Sequence, residues 1–273
     1  MKNFWTRTIS AVVYVVLFLG SLYCYKLPEF DTIGRYIFFA FLTFVACGCT
    51  FEFFRIVGQQ DATPNRPLGY VFTVLALIAV ACNWLELCFV LLPVAFGLAA
   101  ILQLWKHSSQ PFRDAAYTVL PMLYAGIPLG MMPWLHYTNN IMVMVLIMVW
   151  TNDNCAYMGG SLLGKHKMWM RHSPGKTWEG TVIGVAATLL VAALVGPLFN
   201  STLSWPVWLL LGFVCSVVST LGDLVESMLK RSVGMKDSGK IMPGHGGFLD
   251  RFDSLLIATP ICYAFIYIVN MLW

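Results

Sequence analysis

Four aspartates, Asp223, Asp237, Asp250 and Asp253, share one stretch of the chain with Lys230, Arg231, Lys236, Lys240 and Arg251. Carboxylate oxygens are hard ligands suited to Mg2+, which proteins commonly hold with one or two carboxylates plus the phosphates of a substrate. Lysine and arginine neutralise phosphate charge, and the two sets together are what phosphoryl and nucleotidyl transfer require. The same stretch contains Pro243-Gly244-His245-Gly246-Gly247. Its glycines let the backbone approach a ligand closely and turn N–H groups toward an anion. A loop that only gripped lipid headgroups would need the cations but not four carboxylates.

The lead into this stretch reads Gly222-Asp223-Leu224-Val225-Glu226-Ser227-Met228-Leu229-Lys230-Arg231. On a helix Asp223, Ser227 and Lys230 recur at i, i+4 and i+7 and share one stripe, with Glu226 beside Asp223. A carboxylate near the end of an apolar helix is costly unless paired, hydrated or bound to metal, so a Glu226–Lys230 ion pair is the alternative to a ligand role for Glu226. A second polar stretch follows Trp150-Thr151-Asn152-Asp153-Asn154 and ends in Ser173-Pro174-Gly175-Lys176-Thr177-Trp178-Glu179-Gly180. Ser173 and Thr177 are candidate helix caps, which would aim free N–H groups at an anion. Capping alone is the other reading for these two, and capping or pairing for Asp153. His107, His136, His166 and His172 read as solvated loop residues. The chain has no GxxxxGK[ST] loop, HExxH, GxSxG or dinucleotide fingerprint.

The elements that must position these groups are mostly apolar. Of 273 residues, 59% are hydrophobic and 11% charged, against about 45–50% and about 25% in soluble domains. A soluble fold so composed would expose large apolar patches and aggregate. Crossing a bilayer takes about 20 apolar residues. Nine runs are candidates: 8–25, 36–54, 69–83, 87–105, 116–134, 141–158, 181–199, 207–229 and 252–272. The expected fold is therefore all-α, a polytopic integral membrane protein with about nine transmembrane helices. Nine spans place 15 of the 17 Lys and Arg on one face and leave Lys26 and Arg35 on the other. By the positive-inside rule the N-terminus is then cytoplasmic and the C-terminus outside. Lys2 and Arg7 before an apolar run resemble a signal peptide, but no cleavage site is evident after Gly20, so a retained first helix is expected.

Residues 1–140 accordingly read as about five N-terminal spans, and 141–273 as a catalytic region with cytoplasmic loops at 160–180 and 232–251. The eight cysteines lie mostly inside apolar runs without a repeated CxxC and read as packing residues. Gly126-Ile127-Pro128-Leu129-Gly130 fits GxxxG, which says only that helices approach closely there. A net charge of +4 is too modest to indicate nucleic acid.

The run Ser227-Met228-Leu229-Lys230-Arg231, then Lys236-Asp237-Ser238-Gly239, then Pro243-Gly244-His245-Gly246-Gly247-Phe248-Leu249-Asp250-Arg251-Phe252-Asp253 resembles the signature of the phosphatidate cytidylyltransferases, also called CDP-diacylglycerol synthases. Met242 stands where that family usually has Leu, Ile or Phe. Residues 173–180 are similar to a second family segment, and Asp153-Asn154-Cys155-Ala156-Tyr157 to a third, departing after the Asp. The first half of the chain carries no comparable motif. The resemblance implies that CTP and phosphatidate give CDP-diacylglycerol and pyrophosphate, with Mg2+ required and a place for a monovalent cation such as K+. It also implies about nine helical spans, a homodimer, and a site at the cytoplasmic face of what is expected to be a bacterial inner membrane.

By position, Asp223 and Asp250 correspond to the family's metal-holding aspartates. On this expectation Lys230, Arg231, Lys236 and Arg251 neutralise phosphates, while Asp237, His245 and Asp253 orient the metal or its ligands. Asp153, Ser173, Lys176, Ser227, Gly246 and Gly247 contact substrate. Two further readings remain beside this one. The first is a related enzyme, acting on isoprenoid-ether phosphatidate or as a CTP-dependent lipid kinase. The second is a transporter of a phosphorylated solute, which would show midplane charges and two-fold sequence symmetry.

Overall fold

A computed structural model describes residues 2–24, 31–138, 140–239, 241 and 246–272. Lys26, Lys240, Met242, Pro243, Gly244 and His245 lie outside the described residues, as do the side chains of Lys2 and Arg7. In chain order the elements are α1 (Lys2–Tyr23), α2 (Asp31–Val57), α3 (Arg66–Ala81), α4 (Leu85–Gln103), α5 (Pro111–Pro121), a π-helical turn (Met122–Gly126) and α6 (Ile127–Tyr137). There follow α7 (Met142–Leu163), strands β1 (Lys167–Trp169) and β2 (Ser173–Thr177), α8 (Trp178–Phe199), α9 (Trp205–Arg231) and α10 (Leu249–Leu272).

Each of the nine apolar runs falls on helix, the fifth on α5, the π turn and α6 together. Among the described residues six helices are long and apolar enough to cross a bilayer: Ile33–Gln60, Leu85–Gln103, Pro111–Tyr137, Trp178–Phe199, Trp205–Arg231 and Leu249–Leu272. Val12–Tyr23 and α3 are shorter apolar helices, and α7 interrupts its apolar run with Asn152, Asp153 and Asn154. The architecture is that of an all-α membrane protein. Among the described residues the one sheet is the small antiparallel pair of β1 and β2.

The chain forms two compact units, residues 1–130 with 233–251 and residues 131–232 with 252–273. Residues 233–251, expected with the C-terminal half, group with the N-terminal helices instead, because α2 bonds directly to them (below).

In the first unit α3, α4, α5 and the π turn enclose Phe72, Ala76, Ala95, Ala99, Ala115, Val119 and Met122. The GxxxG glycines lie where this packing is tightest. A Cβ on Gly126 would sit 2.6 Å from the Thr73 carbonyl oxygen, and one on Gly130 2.8 Å from that of Leu77. In the second unit α7 packs along α8, and both contact α9. On α8, Gly180, Gly184, Thr188, Ala192 and Gly196 recur every fourth residue and are buried, whereas Leu190, Leu194 and Leu198 are exposed. Lipid tails solvate leucine as well as protein does, so helices associate through small residues that bring backbones together. A Cβ on Gly180 would lie 2.9 Å from the Gly160 backbone, and one on Gly184 2.8 Å from the Asn152 carbonyl oxygen.

Candidate active site

Helix α9 carries Asp223 and Glu226 near its C-terminal end, and α10 carries Asp253 in its first turns. Gly222 lets these helices meet closely: a Cβ there would lie 3.1 Å from both the Asp253 carbonyl oxygen and Ser254 Cα. One oxygen each from Asp223, Glu226 and Asp253 lies within 4.8 Å of the others, and among the described residues this is the one acidic group placed to hold a metal ion. Like unit charges about 4 Å apart repel by about 4 kcal/mol at the effective dielectric near a protein surface. Three carboxylates so close need cations or shared protons to offset that repulsion. Lys176 Nζ stands 2.8 Å from Asp223 Oδ2, and Lys230 pairs with the fully buried Glu226 one turn away. Asp153 adds a fourth, accessible carboxylate that interacts with both Asp223 and Lys176. The all-oxygen donor set of Asp223, Glu226 and Asp253 suits Mg2+.

Lys176 reaches Asp223 because the 160–180 loop is folded rather than open. Strand β2 pairs with β1 at Lys167–Thr177 and Trp169–Ser173. At the hairpin base the Glu179 carboxylate accepts from the N–H groups of Lys165 (3.1 Å) and His166 (3.2 Å) and meets His166 Nδ1 at 2.5 Å. Thr177 caps α8, its hydroxyl accepting from Gly180 N at 3.2 Å. Lys176 Nζ also donates to the Thr220 carbonyl oxygen at 3.1 Å. Behind it the buried Asn152 donates to Ser219 and Thr220 hydroxyls at 3.2 and 2.9 Å, pinning the acid-bearing part of α7 to α9.

The first unit holds a second pair of carboxylates. From α2, Glu52 projects into the segment that opens α10. Its Oε1 accepts from Phe248 N at 3.0 Å, and its Oε2 from Leu249 N at 2.9 Å and Ser238 Oγ at 2.8 Å. Asp250 Oδ2 accepts from Ser238 N and Gly247 N, both at 2.8 Å, and lies 2.9 Å from Ser238 Oγ. The single hydroxyl proton of Ser238 can serve one carboxylate at a time, but four backbone N–H groups serve the two steadily. Hydrogen bonds to charged groups contribute about 1.5–3 kcal/mol each. Gly246 adopts φ +81°, a left-handed conformation that favours glycine. A Cβ on Gly247 or Gly239 would strike the Glu52 carboxylate.

Of the residues expected at the site, Asp223, Asp253, Asp153, Lys176, Ser227 and Lys230 fall together in the second unit. Ser227 Oγ makes a long 3.4 Å contact to Asp223 Oδ1. Lys230 is engaged with Glu226, the ion pair weighed above as the alternative, so Glu226 has both an acidic neighbourhood and a partner. Arg231 is exposed, with Nε 3.5 Å from the His172 carbonyl oxygen. Lys236 and Asp237 are exposed, Arg251 is half-buried, and all three belong with Asp250, Gly246 and Gly247 to the first unit. His245 lies outside the described residues.

Three expectations are corrected. Ser173 caps no helix, because it pairs in β2 and α8 begins only at Trp178. The N–H of Gly247, expected to face a ligand anion, donates to Asp250. His136 is buried within α6 rather than solvated. Sequence reading also missed Glu52 altogether. Its signal was available: it is the single acid in the apolar helix Ile33–Gln60, and an ionisable group in such a place is rarely idle.

The fold defines a polytopic helical membrane protein, and its second unit gathers three carboxylates beside two lysines. Residues 5–269 match the cytidylyltransferase family, and the chain belongs to that family. It is 42% identical over 159 residues to proteins named phosphatidate cytidylyltransferase from Staphylococcus haemolyticus and Staphylococcus aureus, and 44% identical over 155 residues to the one from Staphylococcus epidermidis. Each alignment covers 55% of this chain and 58% of the relative, so the chain spans less than two thirds of the length of the curated relatives it matches.

Proposed function

We propose that this protein is a phosphatidate cytidylyltransferase that transfers CMP from CTP to phosphatidate, giving CDP-diacylglycerol and pyrophosphate. One observation carries the reading: Asp223, Glu226 and Asp253 converge within 4.8 Å beside Lys176 and Lys230, in a chain of the cytidylyltransferase family. A phosphate oxygen of phosphatidate attacks the α-phosphorus of CTP. As that bond forms, the bond from the same phosphorus to the oxygen bridging the α- and β-phosphates breaks, and pyrophosphate leaves with the electron pair. The nucleophile is already an anion near neutral pH, so no strong base is needed. The barrier lies in bringing two polyanions together and in the charge of the leaving group.

Asp223 and Asp253 would hold Mg2+, and the place of Asp250 in the signature assigns it to the same task. When bound, the ion neutralises phosphate charge and stabilises the leaving pyrophosphate. Lys176 holds Asp223 in position, and Lys230, Arg231, Lys236 and Arg251 supply further positive charge for phosphates. The reading includes a site at the cytoplasmic face of a bacterial inner membrane, a homodimer, and a monovalent cation such as K+. The test is incubation of the purified protein with phosphatidate and CTP labelled in the cytidine. Magnesium-dependent transfer of that label into lipid is expected. No labelled lipid, or transfer of only the γ-phosphate, would overturn the proposal.

A further inference from the structure

We propose that Glu52 is a positioning residue for the transfer reaction, holding the backbone around Ser238 and residues 246–249 so that Asp250 keeps its orientation. The inference rests on the cytidylyltransferase reading and deepens it. A fully buried carboxylate in an apolar span is costly, and packing alone would be served by an apolar side chain. All three donors that satisfy Glu52 come from the signature segment: Ser238 Oγ, Phe248 N and Leu249 N. Leu249 N opens α10 and Phe248 N immediately precedes it, so Glu52 caps the start of that helix from another part of the chain.

The rest of α2 is shaped to the same end. Phe44, Gly48 and Glu52 recur every fourth residue, on one stripe of the helix. The Phe248 ring lies edge-on to Phe44 with centroids 5.3 Å apart and fills the space that a side chain at Gly48 would need. Arg55 donates to the Ser238 carbonyl oxygen. Ser238 is thus gripped at its carbonyl by Arg55 and at its hydroxyl by Glu52, while its N–H holds Asp250. Gly239 and Gly247 leave room for the Glu52 carboxylate, and Gly247 N is the other backbone donor to Asp250. The groups that fix Asp250 are therefore those that Glu52 fixes, or their immediate neighbours.

The test compares Glu52→Gln, Glu52→Asp and wild type as purified full-length protein in detergent. The Gln amide keeps the shape but presents N–H where an acceptor is needed. Its kcat is expected to fall about 100-fold, as for a sub-ångström to ångström misplacement of reacting groups. KM for CTP should stay within about threefold, while the magnesium concentration for half-maximal rate rises at least about tenfold, as when a partner orienting a metal ligand is lost. Glu52→Asp should recover part of kcat, because it restores the acceptor. A second readout needs no activity: trypsin cleavage after the exposed Lys236 should be about tenfold faster in Glu52→Gln, the effect of losing one charge-assisted hydrogen bond. Should Glu52→Gln not fold, Ser238→Ala is read in the same way. Rates and cleavage within threefold of wild type, or a loss of kcat that only tracks the loss of folded protein, would overturn the proposal. If wild type makes no CDP-lipid, the functional reading has failed, and the cleavage rates still decide whether Glu52 holds the segment.

Discussion

Glu52 and Asp250 in the first unit are surrounded by donors, whereas Asp223, Glu226 and Asp253 in the second are surrounded by one another. The first pair receives four backbone N–H groups and a shared hydroxyl. The second group receives two lysines, the distant Ser227 hydroxyl and a single backbone N–H, from Ser254 to Asp253, for its three acids. Backbone donors are fixed and direct each oxygen they reach, which makes Glu52 a structural peg and fixes the orientation of Asp250. Ammonium groups balance charge without saturating oxygen lone pairs, which leaves donor capacity for an ion. The same residue types thus do two jobs, and their partners, more than their identity, decide which.

The largest effect should come from taking a charge out of the second group. Asp223→Asn and Asp253→Asn are each expected to lower CDP-lipid formation by about 1,000-fold while the protein elutes as a folded species from size exclusion. Asp250→Asn belongs in the same comparison, and full activity in it would separate Asp250 from the metal. The next effect concerns stability. Glu226→Leu removes the carboxylate that pairs with the buried Lys230 and should cost about 3–5 kcal/mol in detergent unfolding. The double substitution Glu226→Leu/Lys230→Met should recover most of that stability, and activity should recover with it only if Glu226 does nothing but pair. Lys176→Met should lower kcat/KM about 100-fold by releasing Asp223, an outcome that steady-state assays over a CTP series will read. The smallest effect is expected away from charge. Gly184→Ala should lower stability by about 1–3 kcal/mol, through overpacking against Asn152, without changing the magnesium dependence.

Much of the fold was legible because a bilayer imposes a simple rule on sequence: runs long enough to span it become helices, as all nine apolar runs do. The cap at Thr177 and the close approach at Gly126 and Gly130 were legible for the same local reason. The candidate site was legible in residue type but not in pairing. Asp223 and Asp253 stand out as acids beside apolar helices, yet nothing near Lys176 in sequence says that it turns toward Asp223. That depends on the β1–β2 hairpin, whose strands are too short to show alternation. Glu52 was harder still, because its three donors lie at the other end of the chain. The N–H of Gly247 was misjudged for a related reason: an anion was expected there, and the anion is the protein's own.

The seam between α7 and α8 has a mechanical consequence. Where Gly180 faces Gly160 and Gly184 faces the Asn152 carbonyl oxygen, main chain lies against main chain. A glycine has no rotamer to yield, so any larger residue at those points must push α7 and α8 apart, and the spacing of the two helices is set by what position 180 and position 184 lack.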